Sequence, residues 1–440
     1  MLNSIQKAFK VKEVRERLLY TFMMLVVIRI GSCLPIPGVD PSYLKTFFDN
    51  LQASGMGFVN AVTGGSFSSM SLFALSITPY ITSSIIMQLM TIAVPKLEEM
   101  QREGEDGRKK IAEYTRYLTV ALSLFESSAM AIGLGRQGLL YEDHRNFWGY
   151  LTVVAAMTAG SALLMWIGER ITDKGIGNGI SIVLLVNIVS SLPQDVLTLY
   201  ERFMAGKSVA VATVAAIIVL AVIVATVVFV LILNGAERRI PVQYSKKMQG
   251  RRMIGGQSTY IPLKVNTANV IPVIFASSIM SMPVMVAQFF QVDYSTIGGK
   301  ILLALSSSNW FRPESPGYSV GLLFYIILIV LFAYFYTSIT FNPLEVANNM
   351  KKSGGFIPGV RPGKPTSDFL TNILNYIVFI GAVGLVIVCI IPIMASGLFS
   401  VGSLSFGGTS LIIIAGVILE TIKAVESMML VRNYKGFLND

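Results

Sequence analysis

Apolar positions in this chain gather into long runs instead of alternating, and ten runs are long enough to cross a hydrocarbon core at about 20 residues each. They start near Leu18, Ala74, Tyr117, Trp148, Ile176, Val209, Ala268, Val320, Leu370 and Thr409. The pattern predicts an all-α polytopic membrane protein. Two runs are interrupted at the same relative place in each half. Ser71 to Val94 carries Ser76, Thr78, Pro79, Thr82, Ser83, Ser84 and Gln88; Ala268 to Phe290 carries Asn269, Pro272, Ser277, Ser278, Ser281 and Pro283. Both read as proline-kinked helices. Inside a bilayer the backbone groups that proline frees must be satisfied by neighbouring helices or a water-filled cavity. A pair of such segments marks a path through the membrane.

Ten spans divide into two halves of five, and because five is odd the second half must enter the membrane with opposite polarity. No residue identity between the halves supports this; the inverted repeat follows from span order alone. Of the 35 lysines and arginines, 27 fall on the side that holds the N-terminus, 7 on the other, and Arg29 lies in the first span. That bias predicts cytoplasmic termini. The first apolar run is too long for a cleaved signal peptide, and no small-x-small site precedes Pro35 and Pro37.

The expected organisation is a cytoplasmic N-terminal amphipathic helix at 1–17, a first half at 18–193, an outer loop at 194–208, a second half at 209–431 and a tail at 432–440. In the N-terminal helix Leu2, Ile5, Phe9 and Val14 oppose Lys7, Lys10 and Arg15, a pattern that suits a membrane surface or a partner.

Composition agrees with a bilayer setting: 53% hydrophobic and 14% charged residues, against about 25% charged in soluble domains. A net charge of +10 is accounted for by the inner loops and requires no nucleic acid. No catalytic apparatus assembles. GxxxxGK(S/T) is absent, and the GxGxxG from Gly133 to Gly138 follows a membrane run on the outer side rather than a strand. The single histidine, His144, and the two cysteines, Cys33 and Cys389, make neither a triad nor a metal set. Neither enzyme activity nor a cofactor is expected. A secondary solute transporter is the alternative reading, because it shares inverted halves and broken helices. It normally needs ionisable groups near the midplane, and the spans offer little beyond Arg29, Glu126 and Glu420.

Between the first two spans lies a short, glycine-rich apolar segment, 58–73, too short to cross. It reads either as a re-entrant, cavity-filling segment or as an ordinary interfacial loop. Two inner loops stand out. That at 234–267 carries seven basic residues, with Gln249-Gly250-Arg251-Arg252 at its tip. That at 342–369 holds Arg361 between Pro358-Gly359 and Pro362-Gly363. Such loops can simply enforce topology and meet anionic lipid, but a backbone fixed around one guanidinium points to a specific docking contact.

At these residues the chain resembles the SecY family, the channel subunits of bacterial Sec protein translocons. The matching stretches run in order along the chain: Pro35-Ile36-Pro37-Gly38, Pro79-Tyr80-Ile81, Glu103 to Lys110, Gly175 to Ser181, Gln249 to Arg252, Ile271 to Ser278, Lys351 to Gly354 with Pro358 to Gly363, and Phe406 to Leu411. The resemblance implies ten helices around a central hourglass pore in the bacterial cytoplasmic membrane. It implies a pore ring of Ile77, Ile81, Ile180, Leu184, Ile274 and Ile413, with Leu184 where isoleucine is common. It implies a plug that includes Asn60, Val62, Thr63, Gly64, Gly65, Phe67 and Met70. A lateral gate follows at Thr82, Gln88, Asn269, Ser278 and Met282, and ribosome or motor docking at Arg251, Arg252, Lys264 and Arg361. The implied partners are SecE, SecG, the SecA motor ATPase, the ribosome, signal sequences and nascent chains, and membrane lipid.

Overall fold

The structure is a computed structural model that describes residue 9 and residues 11–39, 63–205, 208–244, 247–249, 252–254, 258–288, 295–310, 316–399 and 408–436. Its helices are α1 (Lys12–Cys33), α2 (Thr78–Ala93), α3 (Pro95–Arg102), α4 (Glu105–Arg136), α5 (Phe147–Lys174), α6 (Gly179–Phe203), α7 (Val209–Gly235), α8 (Ile271–Gln288), α9 (Ile297–Leu305), α10 (Val320–Thr340), α11 (Pro343–Lys352), α12 (Lys364–Phe399) and α13 (Gly408–Gly436). Every expected apolar run contains a helix. By length and composition, five stretches among the described residues suffice to cross a membrane, or six if α2 and α3 form one span bent by 105°.

Several boundaries differ from the sequence reading. Lys12 to Arg17 is continuous with the helix of the first span, while Leu2 and Ile5 lie outside the described residues. Helix α6 runs through Pro193 to Phe203, past the expected end of the first half at 193. The prolines act differently too. Pro79 and Pro272 hold the second position of α2 and α8, where a missing N–H costs nothing because no carbonyl precedes it in the helix. They start these helices instead of kinking them. Pro95 opens α3 at the sharp bend, and Pro283 lies inside α8.

The two halves repeat a packing scheme. In the first, α1 packs on α5 and α6, α2 on α4, α4 on α5, and α5 on α6. In the second, α7 packs on α12 and α13, α8 on α10, α10 on α12, and α12 on α13. These are the same five pairings with each helix replaced by its counterpart. The halves meet where α8 touches α2 and α4, and where α6 touches α7 and α13. Helix α7 leaves Val211, Val214, Ile217, Ile218 and Leu220 exposed, as suits a lipid-facing surface. Lipid tails are as apolar as leucine, so packing depends on close fit and small residues. Gly160 of α5 illustrates this, since a Cβ there would overlap the Leu72 carbonyl.

Outside the helices, β1 (Glu237–Tyr244), β4 (Ser258–Lys264) and β5 (Gly355–Phe356) form an antiparallel sheet in the order β4-β1-β5. Glu237 pairs with Lys264, and Gln243 with both Ser258 and Phe356. A second hairpin joins β2 (Lys247–Gln249) to β3 (Arg252–Ile254). The two basic loops are thus one structural unit, a link the sequence did not reveal.

Candidate functional site

The site begins at the turn from Gly175 to Ser181. Asn178 caps α6, its Oδ1 accepting from the Ile180 and Ser181 N–H groups at 3.1 and 3.4 Å. The cap satisfies donors that have no intrahelical partner. The Gly179 N–H donates to Thr172 Oγ1 at 2.9 Å, and a Cβ at Gly179 would overlap the Gly168 carbonyl oxygen. Bare backbone brings α6 against α5 and puts Ile180 and Leu184, four residues apart, on one helix face.

Ile180 and Leu184 share an apolar cluster with side chains from three other parts of the chain. Ile77 ends the turns before α2, Ile81 lies in its first turn, Ile274 lies in the first turn of α8, and Ile413 lies near the start of α13. Ile77, Ile81, Leu184 and Ile413 are buried in one apolar cluster, and Ile180 and Ile274 are partly buried against it. All six expected ring residues fall within this one extended cluster, which also takes in Ile28, Phe275, Tyr325 and Phe332. Their placement is duplicated: Ile81 and Ile274 each lie two residues beyond the helix-starting proline.

The backbone repeats as well. Ser76 and Asn269, each three residues before that proline, adopt left-handed φ angles of 53° and 54°, uncommon for residues other than glycine. Each rests on the fifth apolar helix of its own half. Asn187 of α6 donates from Nδ2 to Ser76 Oγ at 3.2 Å, and Asn269 Oδ1 lies beside Gly416 of α13. Ser161 Oγ of α5 donates to the Ser76 carbonyl at 3.3 Å. Sequence reasoning missed Asn187 and Ser161. Their signal was polar residues in otherwise apolar runs, which cannot be paired without the fold.

Of the expected plug residues, Asn60 and Val62 lie outside the described residues. Thr63 to Met70 forms a run of tight turns, with Thr63, Phe67 and Met70 buried. The Met70 carbonyl accepts from the Ile36 N–H at 3.0 Å. Phe67 and Met70 join a second apolar cluster with Ile36, Met130, Leu134, Leu140 and Met157. Gly65 stands in a left-handed turn. Phe67 and Met70 are therefore packed against α4, α5 and the stretch around Ile36 that follows α1.

The residues expected at a lateral gate lie on α2, on α8 and in the turn before α8. Thr82 Oγ1 donates to the Thr78 carbonyl at 3.1 Å and Gln88 Nε2 to Ser84 Oγ at 3.4 Å, both within α2. Neither of these bonds crosses to α8. Ser278 is buried, Met282 half-buried, and Ser277 Oγ meets Tyr325 Oη at 3.1 Å, joining α8 to α10. Gln88 Oε1 is buried without a hydrogen-bond partner. An unsatisfied buried acceptor costs about 1–3 kcal/mol, so Gln88→Leu is expected to raise the thermal stability of the protein in detergent. A thermal unfolding measurement checks this; a lower unfolding midpoint would contradict it.

In the basic unit, Lys264 ends β4 and is exposed. Arg239 is ion-paired to Glu237 at 2.8 Å and stacked 4.8 Å from the Tyr260 ring centroid, and the Glu237 hydrogen bond raises its pKa further. Arg361 is exposed between Gly359 and Gly363, at φ 84° and 103°, and its carbonyl accepts from the buried Thr366 Oγ1 at 2.8 Å. Its backbone is fixed and its side chain projects. Arg252 lies in β3, and Arg251 lies outside the described residues. Among the described residues no cluster of three or more His, Cys, Asp or Glu could hold a metal ion.

Known proteins resemble this chain throughout. The family described as SecY matches residues 71–422. A protein translocase subunit SecY from Streptomyces scabiei is 44% identical over 451 residues, covering 100% of both chains. A solved structure described as showing that the SecY plug domain stabilises the closed state of the translocation channel and maintains a membrane seal has a TM-score of 0.62 at 17% identity, with 96% of each chain covered. Sec61 in the canine ribosome-channel complex gives 0.59 at 18% identity, again over 96% of each. Full-length identity to the bacterial translocase subunit, with a shared fold and an apolar cluster fed by both halves, leads to one conclusion: the chain belongs to the SecY family.

Proposed function

We propose that this chain is the protein-conducting channel through which unfolded secretory polypeptides cross the bacterial cytoplasmic membrane and from which transmembrane segments pass sideways into lipid. The observation that carries this reading is that six aliphatic side chains, from α2, α6, α8, α13 and the turn before α2, belong to one apolar cluster drawn from both halves. Apolar side chains at a constriction dewet it and exclude ions, yet shift around a passing chain. The layout we propose is ten helices in two inverted five-helix halves around an hourglass pore, with both termini cytoplasmic. The repeated pairings of the two halves support it.

In this reading Thr63 to Met70 belongs to a plug over the outer mouth, and the seam between α2 and α4 on one side and α8 and α10 on the other is the lateral gate. A hydrophobic signal sequence that parts the seam exchanges apolar protein contact for lipid contact at little net cost. The chain supplies no energy of its own; we assign that to the ribosome or the SecA motor, docked on the basic unit, with SecE and SecG completing the complex. The ribosome-bound state of the canine Sec61 neighbour supports the docking assignment. Arg361→Glu is expected to reduce SecA-driven export at least about tenfold, the effect of losing about 1.4 kcal/mol from a charged contact, while assembly and protease resistance stay unaltered. Normal export by that variant would remove Arg361 from the docking surface.

The channel itself is tested by a photoreactive residue at Ile274, illuminated in membranes that hold a stalled secretory chain. An adduct to that chain is expected. With targeting, assembly and stalling verified, the absence of an adduct at Ile274 and at Ile81 would overturn the channel reading.

A further inference from the structure

Arg29 lies within α1, four residues before its end at Cys33, in a run that is otherwise apolar. A cation inside a membrane span is costly unless it is paired or faces a cavity. Its Nη1 donates to Ser190 Oγ on α6 at 2.9 Å. Ser190 Oγ shares its single hydrogen between the Asn187 carbonyl, the main acceptor at 2.7 Å, and the Gly64 carbonyl at 3.4 Å. The approach is tight on the other side too. Gly64 has φ 63°, and a Cβ there would stand 2.8 Å from Ser190 Oγ and 2.9 Å from the Asn187 backbone. Only glycine lets the turn segment sit this close to α6.

The same part of α6 holds the turn before α2 through the Asn187 to Ser76 hydrogen bond at 3.2 Å. One stretch of α6 therefore grips the segment that begins at Thr63 and the left-handed residue that precedes α2, and Arg29 sits behind that grip. We infer that Arg29 is a positioning residue that latches the Gly64 turn through Ser190 and so biases the channel closed. A hydroxyl whose oxygen accepts from a guanidinium is a stronger donor, because successive hydrogen bonds polarise one another. The chain Arg29 to Ser190 to Gly64 thus reaches the segment without contact between the charge and the segment itself. When the segment leaves, Ser190 keeps Asn187 as its acceptor, so the latch can open without stranding a buried donor.

The inference rests on the plug reading, and the test separates the two. Resting ion conductance is measured on the assembled complex in planar bilayers for the unaltered protein, Arg29→Met, Ser190→Ala, Ser190→Thr and a deletion of residues 63–70. The latch predicts that Arg29→Met and Ser190→Ala each raise conductance about tenfold, the ratio for one lost hydrogen bond to a charged network. It predicts that Ser190→Thr, which keeps the hydroxyl, stays low, and that neither substitution adds to the deletion. Leak from the deletion with silence from Ser190→Ala would overturn the latch while leaving the plug. Leak from Arg29→Met that adds to the deletion would overturn it as well. A deletion no leakier than the unaltered protein would remove the plug reading and the latch with it.

Discussion

Replacing Ile81 and Ile274 together with asparagine is expected to raise resting ion conductance by about a hundredfold while leaving the helices in place. The reasoning starts from burial. Ile81 is 8% exposed and Ile274 is partly buried, both in the cluster that joins the halves. An amide side chain cannot be left unbonded there, since each unsatisfied group costs about 1–3 kcal/mol. Two such groups favour a hydrated neck over a dry one by about 3 kcal/mol, a factor of roughly a hundred. Water in the neck carries ions, so the dewetting barrier falls. Both positions lie in first helical turns, where asparagine is well tolerated, so the fold should persist. Single-channel recording on the reconstituted complex measures the effect. Conductance equal to the unaltered protein would place the ion barrier elsewhere.

Gly179→Val should have the largest effect on stability. A Cβ at this position would overlap the Gly168 carbonyl and lie 2.8 Å from Ile171 Cβ. Backbone cannot move aside as a side chain can, so α5 and α6 must separate. Overpacking typically costs about 1–3 kcal/mol, and here it also displaces the Thr172 bond to the Gly179 N–H. Against a total stability of about 5–15 kcal/mol, a loss of about 3 kcal/mol multiplies the unfolded population by roughly a hundred. Protease resistance and thermal unfolding in detergent check it. Gly65→Ala is the contrasting case, because nothing lies within 4 Å of a Cβ there; only its left-handed φ of 83° opposes the change, which should cost about 1 kcal/mol.

Much of this architecture is legible in the sequence because a bilayer imposes a length. Apolar runs from Leu18 to Thr409 each contain a helix, since backbone polar groups have no other way to be satisfied in hydrocarbon. The prolines were harder. Pro79 and Pro272 read as kinks within apolar runs, but they occupy second helical positions. An apolar run gives no sign of where within it the helix begins when the preceding turns are buried as well. The resemblance puts Thr82 and Gln88 at a lateral gate, and in the structure each has a hydrogen bond within its own helix. A hydroxyl on a membrane helix can reach the carbonyl one turn back, and an amide a polar side chain on its own helix face, and sequence cannot say which acceptor wins.

The sequence by itself determined the membrane class, the places of the helices, the charge bias between the two sides, and a set of motifs specific enough to name a family. Those properties depend on local length and composition, and on residue order. Only the tertiary structure decided that Ile77, Ile81, Ile180, Leu184, Ile274 and Ile413 share one apolar cluster, that five helix pairings recur in both halves, and that β1 joins the two basic loops through β4 and β5. It alone set Arg29 against Ser190, 161 residues apart. Contacts at such separation depend on how close two backbones can come. That is set by glycines such as Gly64 and Gly179 facing a particular neighbour, and no periodicity along the chain records which neighbour it is.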